Sequence, residues 1–304
     1  MIKMVYSVFR LTMLPLLASF HCGDEPAPIN DQPVPVNNDA SAEPSLRTQG
    51  RLFRSDWSSA TGSSDRAHSD DGRWTDLICS STVRSRVLAV VPGSTADWTA
   101  TPNIMQVTNR GEQNCGMVES VVAPRGASYF IRMYIRVEDE NQFSFHSVNV
   151  NALGDVQVPL WAIFNPVAGV DYSPKLTLAH PNPSAIRDWR PRTKIRMAQW
   201  YRFEWHVEIF DVANRSARIW PRIYDMAGTL VADASAYIQE AHPDSPLTLQ
   251  QWYDNGGFHR FTDLEMARKL GLGYEGPAGA ADRGRKWYYA AVEIRSDTWA
   301  GPIR

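Results

Sequence analysis

Two carboxylates and an imidazole stand at alternate positions of one short segment, Glu204, His206 and Glu208. In an extended strand alternate residues share a face, so the three would stand side by side. Paired carboxyl groups are what glycoside hydrolysis uses, one as general acid and the other as nucleophile or base. The spacing works against that use. Four residues of strand span about 13 Å between Cα atoms, whereas a retaining pair needs carboxyl groups roughly 5 to 5.5 Å apart. Both side chains would have to lean inward, or the strand would have to bulge. Otherwise Glu-His-Glu is an exposed strand face.

A second chemistry draws on residues nearby. Elimination across a uronic acid needs its carboxylate neutralised and a Tyr or His to take the C5 proton. Arg132, Tyr134, Arg136, His146, His206, Arg218, Arg222 and Tyr224 supply those types. Binding without reaction asks less of the same residues, because Trp220 and Tyr134 can stack on sugar rings while Arg and Glu bond hydroxyls or carboxylates. The expected carbohydrate-binding set is therefore Arg132, Tyr134, Arg136, His206, Arg218, Trp220, Arg222 and Tyr224. The catalytic assignment stays open among Tyr134, Glu204, His206 and Glu208. Cross-strand Arg-to-Glu pairs that solubilise a sheet face would account for these residues equally well.

Such residues need strands to carry them, and the sequence is written in strand period. In Tyr129 to Glu138, the residues Tyr129, Ile131, Met133, Ile135 and Val137 alternate with Phe130, Arg132, Tyr134, Arg136 and Glu138. The first set is a core face and the second is not. Tyr201, Phe203, Trp205, Val207 and Ile209 alternate in the same way with Arg202, Glu204, His206 and Glu208. In Ala217 to Asp225, Ile219, Pro221 and Ile223 oppose Arg218, Trp220, Arg222 and Tyr224, with Pro221 pointing to an edge or a bulge. In Trp287 to Arg295, Tyr288, Ala290, Val292 and Ile294 oppose Trp287, Tyr289, Glu293 and Arg295. Further strands are expected at Arg84 to Val91, Ile104 to Thr108, Gly116 to Val122, Phe143 to Val150, Leu160 to Phe164 and Leu176 to Leu178. One helix is expected. Thr262 and Glu265 have capping-box spacing, Leu264, Ala267, Arg268 and Leu270 follow, and Gly271 ends it. Many strands without β-α alternation give an all-β sandwich or barrel.

Composition agrees with a folded body. The 304 residues are 43% hydrophobic and 21% charged, enough for a sizeable core. Against 33 Asp and Glu stand 31 Lys and Arg, a formal charge of -2, which sets nucleic acid aside as a partner. The 11 Trp, 11 Tyr and 11 Phe suit both strand packing and stacking on flat ligands.

The N-terminus reads differently from the body. Lys3 and Arg10 precede a short apolar run, Leu11 to Phe20, too short to span a bilayer, and Cys22 follows directly. Residues 1–22 are therefore expected to be an export signal. Residues 23–50, with Pro26, Pro28, Pro33, Pro35 and Pro44, are expected to be a flexible tether, and 51–304 the sandwich. The segment around Cys22 resembles the lipobox of bacterial lipoproteins, with Ser19 where Leu is usual and His21 where a small residue is usual. The resemblance implies a lipid on Cys22, membrane anchoring through it, and a cell-envelope location; ordinary secretion is the alternative. Cys79 and Cys115 remain as an even pair in a compartment where disulfides persist, and a bridge is expected. It would close a loop of about 37 residues, a constraint of roughly 4 kcal/mol in the chain-entropy account. Asp65, His68, Asp70 and Asp71 could hold a structural calcium, although oxygen ligands at loop spacing are a weak signal. No other cofactor is indicated.

Three segments carry a wider likeness. Gln199-Trp-Tyr-Arg-Phe-Glu-Trp-His-Val, Arg218-Ile-Trp-Pro-Arg-Ile-Tyr-Asp-Met-Ala-Gly228, and Tyr289-Ala-Ala-Val-Glu-Ile-Arg-Ser with Trp299-Ala-Gly301-Pro302 resemble the concanavalin A-like lectin/glucanase jelly rolls. The resemblance implies a two-sheet antiparallel jelly roll and a carbohydrate ligand. Laminarinase-like members carry E-x-D-x-E on one strand, which would make Glu204 the nucleophile and Glu208 the acid/base, but His206 replaces the central Asp. The Q-I-H and R-x-E-L-R motifs of alginate-lyase-like members are absent. An exported protein that binds an anionic polysaccharide is the leading expectation. A polysaccharide lyase or glycoside hydrolase acting on a uronate-containing glycan, and a structural envelope component without ligand, are the alternatives.

Overall fold

Alternation at period two builds, among the residues the structure describes, two antiparallel sheets of nine strands each. The computed structural model describes residues 50–58, 74, 76–78, 88–108, 114–138, 149–151, 161–167, 171–178, 187–189, 195–236, 238–239, 247–260, 264–276, 284 and 286–303. In chain order the strands are β1 (Arg51–Ser55), β2 (Asp76–Ile78), β3 (Leu88–Pro92), β4 (Asn103–Thr108), β5 (Asn114–Val121) and β6 (Tyr129–Glu138). Then come β7 (Asn149–Asn151), β8 (Trp161–Val167), β9 (Asp171–Leu178), β10 (Arg187–Trp189), β11 (Ile195–Arg196) and β12 (Trp200–Asp211). The last are β13 (Ser216–Asp225), β14 (Leu230–Asp233), β15 (Ile238–Gln239), β16 (His259–Arg260), β17 (Lys269–Gly276) and β18 (Lys286–Arg295). The front sheet runs β14-β13-β12-β6-β18-β4-β3, with β1 on β18 and β16 on β13. The back sheet runs β15-β10-β9-β8-β7-β17-β5-β2, with β11 on β9. The expected all-β jelly-roll sandwich is what forms.

The core lies where the alternation predicts. Tyr129, Ile131, Met133, Ile135 and Val137 of β6 and Tyr201, Phe203, Trp205 and Val207 of β12 are buried in one cluster with Leu270 and Leu272 of β17 and Trp189 of β10. Both sheets contribute, so the inner face of the front sheet is closed by the back one.

In β18 the simple alternation fails at one point. Ala291 takes a left-handed φ of 48°, and the pairing with β6 slips by one residue between Ala290 and Glu293. This is a β-bulge, and it shifts the phase of the strand. Trp287 and Tyr289 ahead of it, and Val292 and Ile294 behind it, all join the inner core, while Tyr288 and Ala290 turn outward. A single uninterrupted period had put Tyr288 with Val292.

Pro221 lies inside the sheet rather than at its edge or on a bulge, yet its missing N–H costs nothing. Along the outer side of β13, β16 pairs with Ser216 and Ala217 and β14 with Arg222 to Tyr224, which leaves a gap between them. Ile219 points its N–H into that gap, and Pro221, two residues on, turns its nitrogen the same way. Tyr253 fills the gap: its hydroxyl accepts from Ile219 N at 2.8 Å and donates to Ile219 O at 2.7 Å.

Tyr253 sits on the one α-helix among the described residues, α1 (Leu249–Asp254), capped by Thr248 and Gln251 in a reciprocal capping box. The helix expected from Thr262 is not formed over its described part. Met266–Arg268 makes a single 3-10 turn and Lys269–Gly276 is strand β17. Leu270 and Leu272, two apart and both fully buried, decide the matter, because β17 pairs with β5 and with β7. Tertiary burial overrides a local cap signal. No helix among the described residues is long and apolar enough to cross a membrane.

Candidate functional site

Strands β13, β12, β6 and β18 are neighbours, and the outer face they share carries the polar residues of all four. Register sets them in rows. Arg222 stands opposite Glu204, Glu204 opposite Arg132, and Arg132 opposite Glu293. Asp233 of β14 flanks Arg222 and Arg54 of β1 flanks Glu293, so six strands alternate in sign along one row. One row over lie Trp220, His206 and Phe130; on the other side lie Tyr224, Arg202 and Tyr134, and then Trp200 and Arg136. All the predicted residues on these strands, Arg132, Tyr134, Arg136, Glu204, His206, Glu208, Arg218, Trp220, Arg222 and Tyr224, therefore lie on one face.

They do not line one open groove. Arg132 is 5% exposed, Glu204 2%, Arg136 7% and Tyr134 4%. Two segments cover them. The segment after β18 crosses the middle of the face: Arg132 Nη1 donates to Gly301 O at 3.1 Å, and Tyr134 Oη accepts from Ile303 N at 3.1 Å. Trp299 lies over the Arg222 guanidinium at 4.0 Å and edge-on to Phe130. The β3–β4 loop covers the other end, where Arg136 Nη1 donates to Ala96 O at 2.6 Å and pairs with Asp97 at 3.0 Å. Beneath that loop Trp98, Tyr134, Trp200, Tyr288 and Ala290 form a second, smaller core.

Burial decides what these groups can do. Arg132 is held by Glu293 at 2.9 Å and Glu204 lies 3.4 Å from Arg202, so their charges are spent internally. Burial lifts the Glu204 carboxyl above its ordinary range, against the pull of Arg202, a hydrogen bond from Gly301 and the charges of Arg132 and Arg222. A carboxyl group sealed under the covering segment has no path to a glycosidic bond in this conformation. Tyr134 is occupied in the same way.

The β13 side of the face is different, for His206, Glu208, Arg218, Trp220, Arg222 and Tyr224 are all half-buried. His206 stacks on Phe130 at 4.1 Å with 8° between planes. Burial depresses its imidazole below the ordinary value, opposed by Glu208 and reinforced by Arg222, so it is neutral at pH 7. Trp220 Nε1 donates to Glu208 Oε2 at 2.9 Å, and Tyr253 packs edge-on against the Trp220 ring at 4.7 Å. Glu208 and Tyr253 thus fix the indole from two sides. Arg222 forms no ion pair among the described residues, and its guanidinium lies against the Trp299 ring.

Sequence reasoning missed the residues that close the face. Trp299 and Gly301 lie beyond the last strand, where no periodicity announces a contact. Asp97 and Trp98 sit in a loop. Glu293 was assigned to the polar side of its strand, but its place opposite Arg132 depends on the bulge at Ala291. His146, Cys22, Cys79 and the acidic group Asp65, His68, Asp70 and Asp71 lie outside the described residues, as does the Cys115 side chain on β5. Among the described residues no cluster of His, Cys, Asp and Glu could hold a metal ion.

No family model and no curated protein matches the chain. Solved structures do. An alginate lyase of polysaccharide lyase family 14 from Aplysia kurodai is similar over 81% of this chain and 99% of its own, with 6% identity and a TM-score of 0.50. A cellulose-induced protein, Cip1, is similar over 82% and 99%, with 12% identity and a TM-score of 0.43. The catalytic domain of a glycoside hydrolase family 131 protein from Coprinopsis cinerea is similar over 83% and 99%, with 14% identity and a TM-score of 0.39. At 6% identity the likeness to the first is one of fold alone, the jelly-roll sandwich.

Proposed function

We propose that the chain binds an anionic polysaccharide along β13, on the half-open side of the front sheet. The observation that carries this reading is the row Trp220, Arg222 and Tyr224, half-exposed at alternate positions of one strand. Arg222 is free of ion pairs among the described residues, and the Trp220 indole is braced by Glu208 and Tyr253. Alternate residues recur about every 6.8 Å along a strand, a spacing on which consecutive sugar units can meet an aromatic face and a guanidinium in turn. Arg132, Tyr134 and Arg136 then support the face instead of touching ligand. An alginate lyase on the same fold makes acidic glycans the class to test first. An export signal ending at Cys22, with a lipid on that cysteine, would hold this surface in the cell envelope.

The test titrates the protein with alginate, polygalacturonate and a neutral glucan while following the absorbance of unsaturated uronates. Binding to the acidic polymers should weaken with salt, since exposed charge pairs are screened. Trp220→Ala should weaken it at every salt concentration, and Arg222→Ala chiefly at low salt. Rising absorbance would instead assign a lyase with neutral, half-open His206 as its base. No binding to any polymer would leave the structural reading, which the covering of Arg132 and Glu204 already favours over hydrolysis.

A further inference from the structure

Where β13 ends, the outer face drops into a cavity of about 430 Å³, a size ordinary for small-molecule sites. Arg136 stands among its lining, Trp98 and Trp200 form walls, and Asp97, Gln199 and Asp225 bring polar groups to it. Three observations say what it would take.

The first is rigidity. Trp98 Nε1 is bonded to Thr101 Oγ1 at 2.8 Å and Trp200 Nε1 to Ala96 O at 2.7 Å, and the two rings meet at 4.7 Å. The indoles are held by bonds to the protein, are 3% and 6% exposed, and show the cavity only their carbon rims.

The second is charge. Arg136 spends its Nη1 on Ala96 and Asp97 and its Nη2 on Glu138 at 2.7 Å. One guanidinium is thus outnumbered by Asp97, Asp225 and Glu138. The Asp97 side chain is 85% exposed, open to a ligand. A carboxylate ligand would meet net negative potential, and among the described residues no group of ligands is arranged for a metal. Carboxylates and an amide beside apolar ring surface suit vicinal hydroxyl groups, which donate to the first and exchange bonds with the second.

The third is backbone strain. Asp97 and Ala198 both border this cavity, and both have left-handed backbone, at φ 54° and 55°. An L-residue such as alanine adopts that conformation at a cost in free energy. Each is held there, Ala198 N by Val137 O at 2.8 Å and the Asp97 N–H by Gly93 O. Strain of this kind gathers at ligand sites because the surroundings must over-determine it.

We infer that this cavity binds a single neutral sugar residue, with Asp97, Asp225 and Gln199 taking its hydroxyls and Ala198, Met226 and the rims of Trp98 and Trp200 meeting its apolar side. Asp225 directly follows Tyr224 of the β13 row, so the cavity is the end stop of that row, seating a neutral residue of a mixed glycan whose uronate units lie along β13. The placement as an end stop rests on the polysaccharide reading; binding of a free sugar does not.

The experiment uses the full chain and the methyl glycosides of glucose, galactose and mannose beside their uronate counterparts, followed by saturation-transfer NMR and tryptophan fluorescence. At least one neutral glycoside should bind, with the matching uronate about tenfold weaker or more. Met226→Trp, at an exposed residue on the cavity lip, should abolish that binding while circular dichroism and thermal unfolding stay unchanged. Asp97→Asn keeps a residue that tolerates left-handed backbone and should narrow the preference against uronates. Trp220→Ala should leave methyl glycoside binding intact while it weakens polysaccharide binding, so the two readings fail separately. The inference is overturned if no neutral glycoside gives saturation transfer, if Met226→Trp leaves binding unaltered, or if uronates bind as tightly as their neutral partners.

Discussion

His259 is fully buried, and acidification should reveal it. Its Nε2 lies 3.1 Å from the Tyr253 hydroxyl, whose one hydrogen is already given to Ile219 O. Nε2 must therefore donate, and Nδ1 is left bare with no partner among the described residues. A second proton on Nδ1 would be a buried charge with nothing to accept it. Burial accordingly pushes the imidazole down to about 3, against about 6.5 when the chain unfolds. A folded value below the unfolded one means that unfolding takes up a proton, so stability is complete above about pH 6.5 and is lost as pH falls towards about 3. Between about pH 7.5 and about pH 4.5 the loss from this one group is about 3 kcal/mol. Urea unfolding of wild type and His259→Phe at both pH values measures it. The variant loses its bond to Tyr253 and starts lower, so the comparison is between the two pH differences. The wild type should lose about 3 kcal/mol more than the variant. Equal losses would refute the reasoning, as would an imidazole resonance for His259 that titrates near its ordinary value.

Arg132→Ala should destabilise by about 3 kcal/mol in chemical denaturation, because it removes the 2.9 Å partner of Glu293 and the cation opposite buried Glu204, leaving them only Arg295 and Arg202 at 3.5 and 3.4 Å; a loss under about 1 kcal/mol would mean that water reaches the row. Cys22→Ser should move the protein from the membrane to the soluble fraction of a bacterial host, and a wild type already soluble and without lipid removes the anchor. Peptide mapping of the non-reduced protein should find Cys79 joined to Cys115, whereas two alkylatable thiols would exclude the bridge.

Period-two alternation in β6, β12 and β13 was enough to place Ile131 and Phe203 inside and Arg132 and Glu204 outside, because one face of each strand meets the back sheet and side chains follow the pleat. The same rule misplaced half of β18, since a bulge is a local count of one extra residue and Ala291 carries no sign of it. The capping box at Thr262 misled for a related reason: the free energy of burying Leu270 and Leu272 between β5 and β7 exceeds anything a cap contributes. The face was legible and its cover was not. Trp299 and Asp97 reach Arg222 and Arg136 from segments distant in sequence, and nothing in a linear pattern reports a contact made only after the sheet has formed.

The charged row, buried at Arg132 and Glu204, has a role that needs no substrate. Asp233, Arg222, Glu204, Arg132, Glu293 and Arg54 alternate in sign across six adjacent strands. Sliding β12 by two residues would keep every side chain on its own face, so hydrophobic patterning alone does not forbid the slip. It would, however, set His206 or Arg202 opposite Arg132 and Arg222, placing like charge or an uncharged ring where Glu204 now stands. A buried arginine without its counter-charge is costly, so the row selects one register among those the pleat allows. That register also puts Trp220 beside His206 and Tyr224 beside Arg202. The Glu-His-Glu strand, which first suggests a hydrolase, is thereby read as the middle of a registration device whose open flank, along β13, is left to meet a ligand.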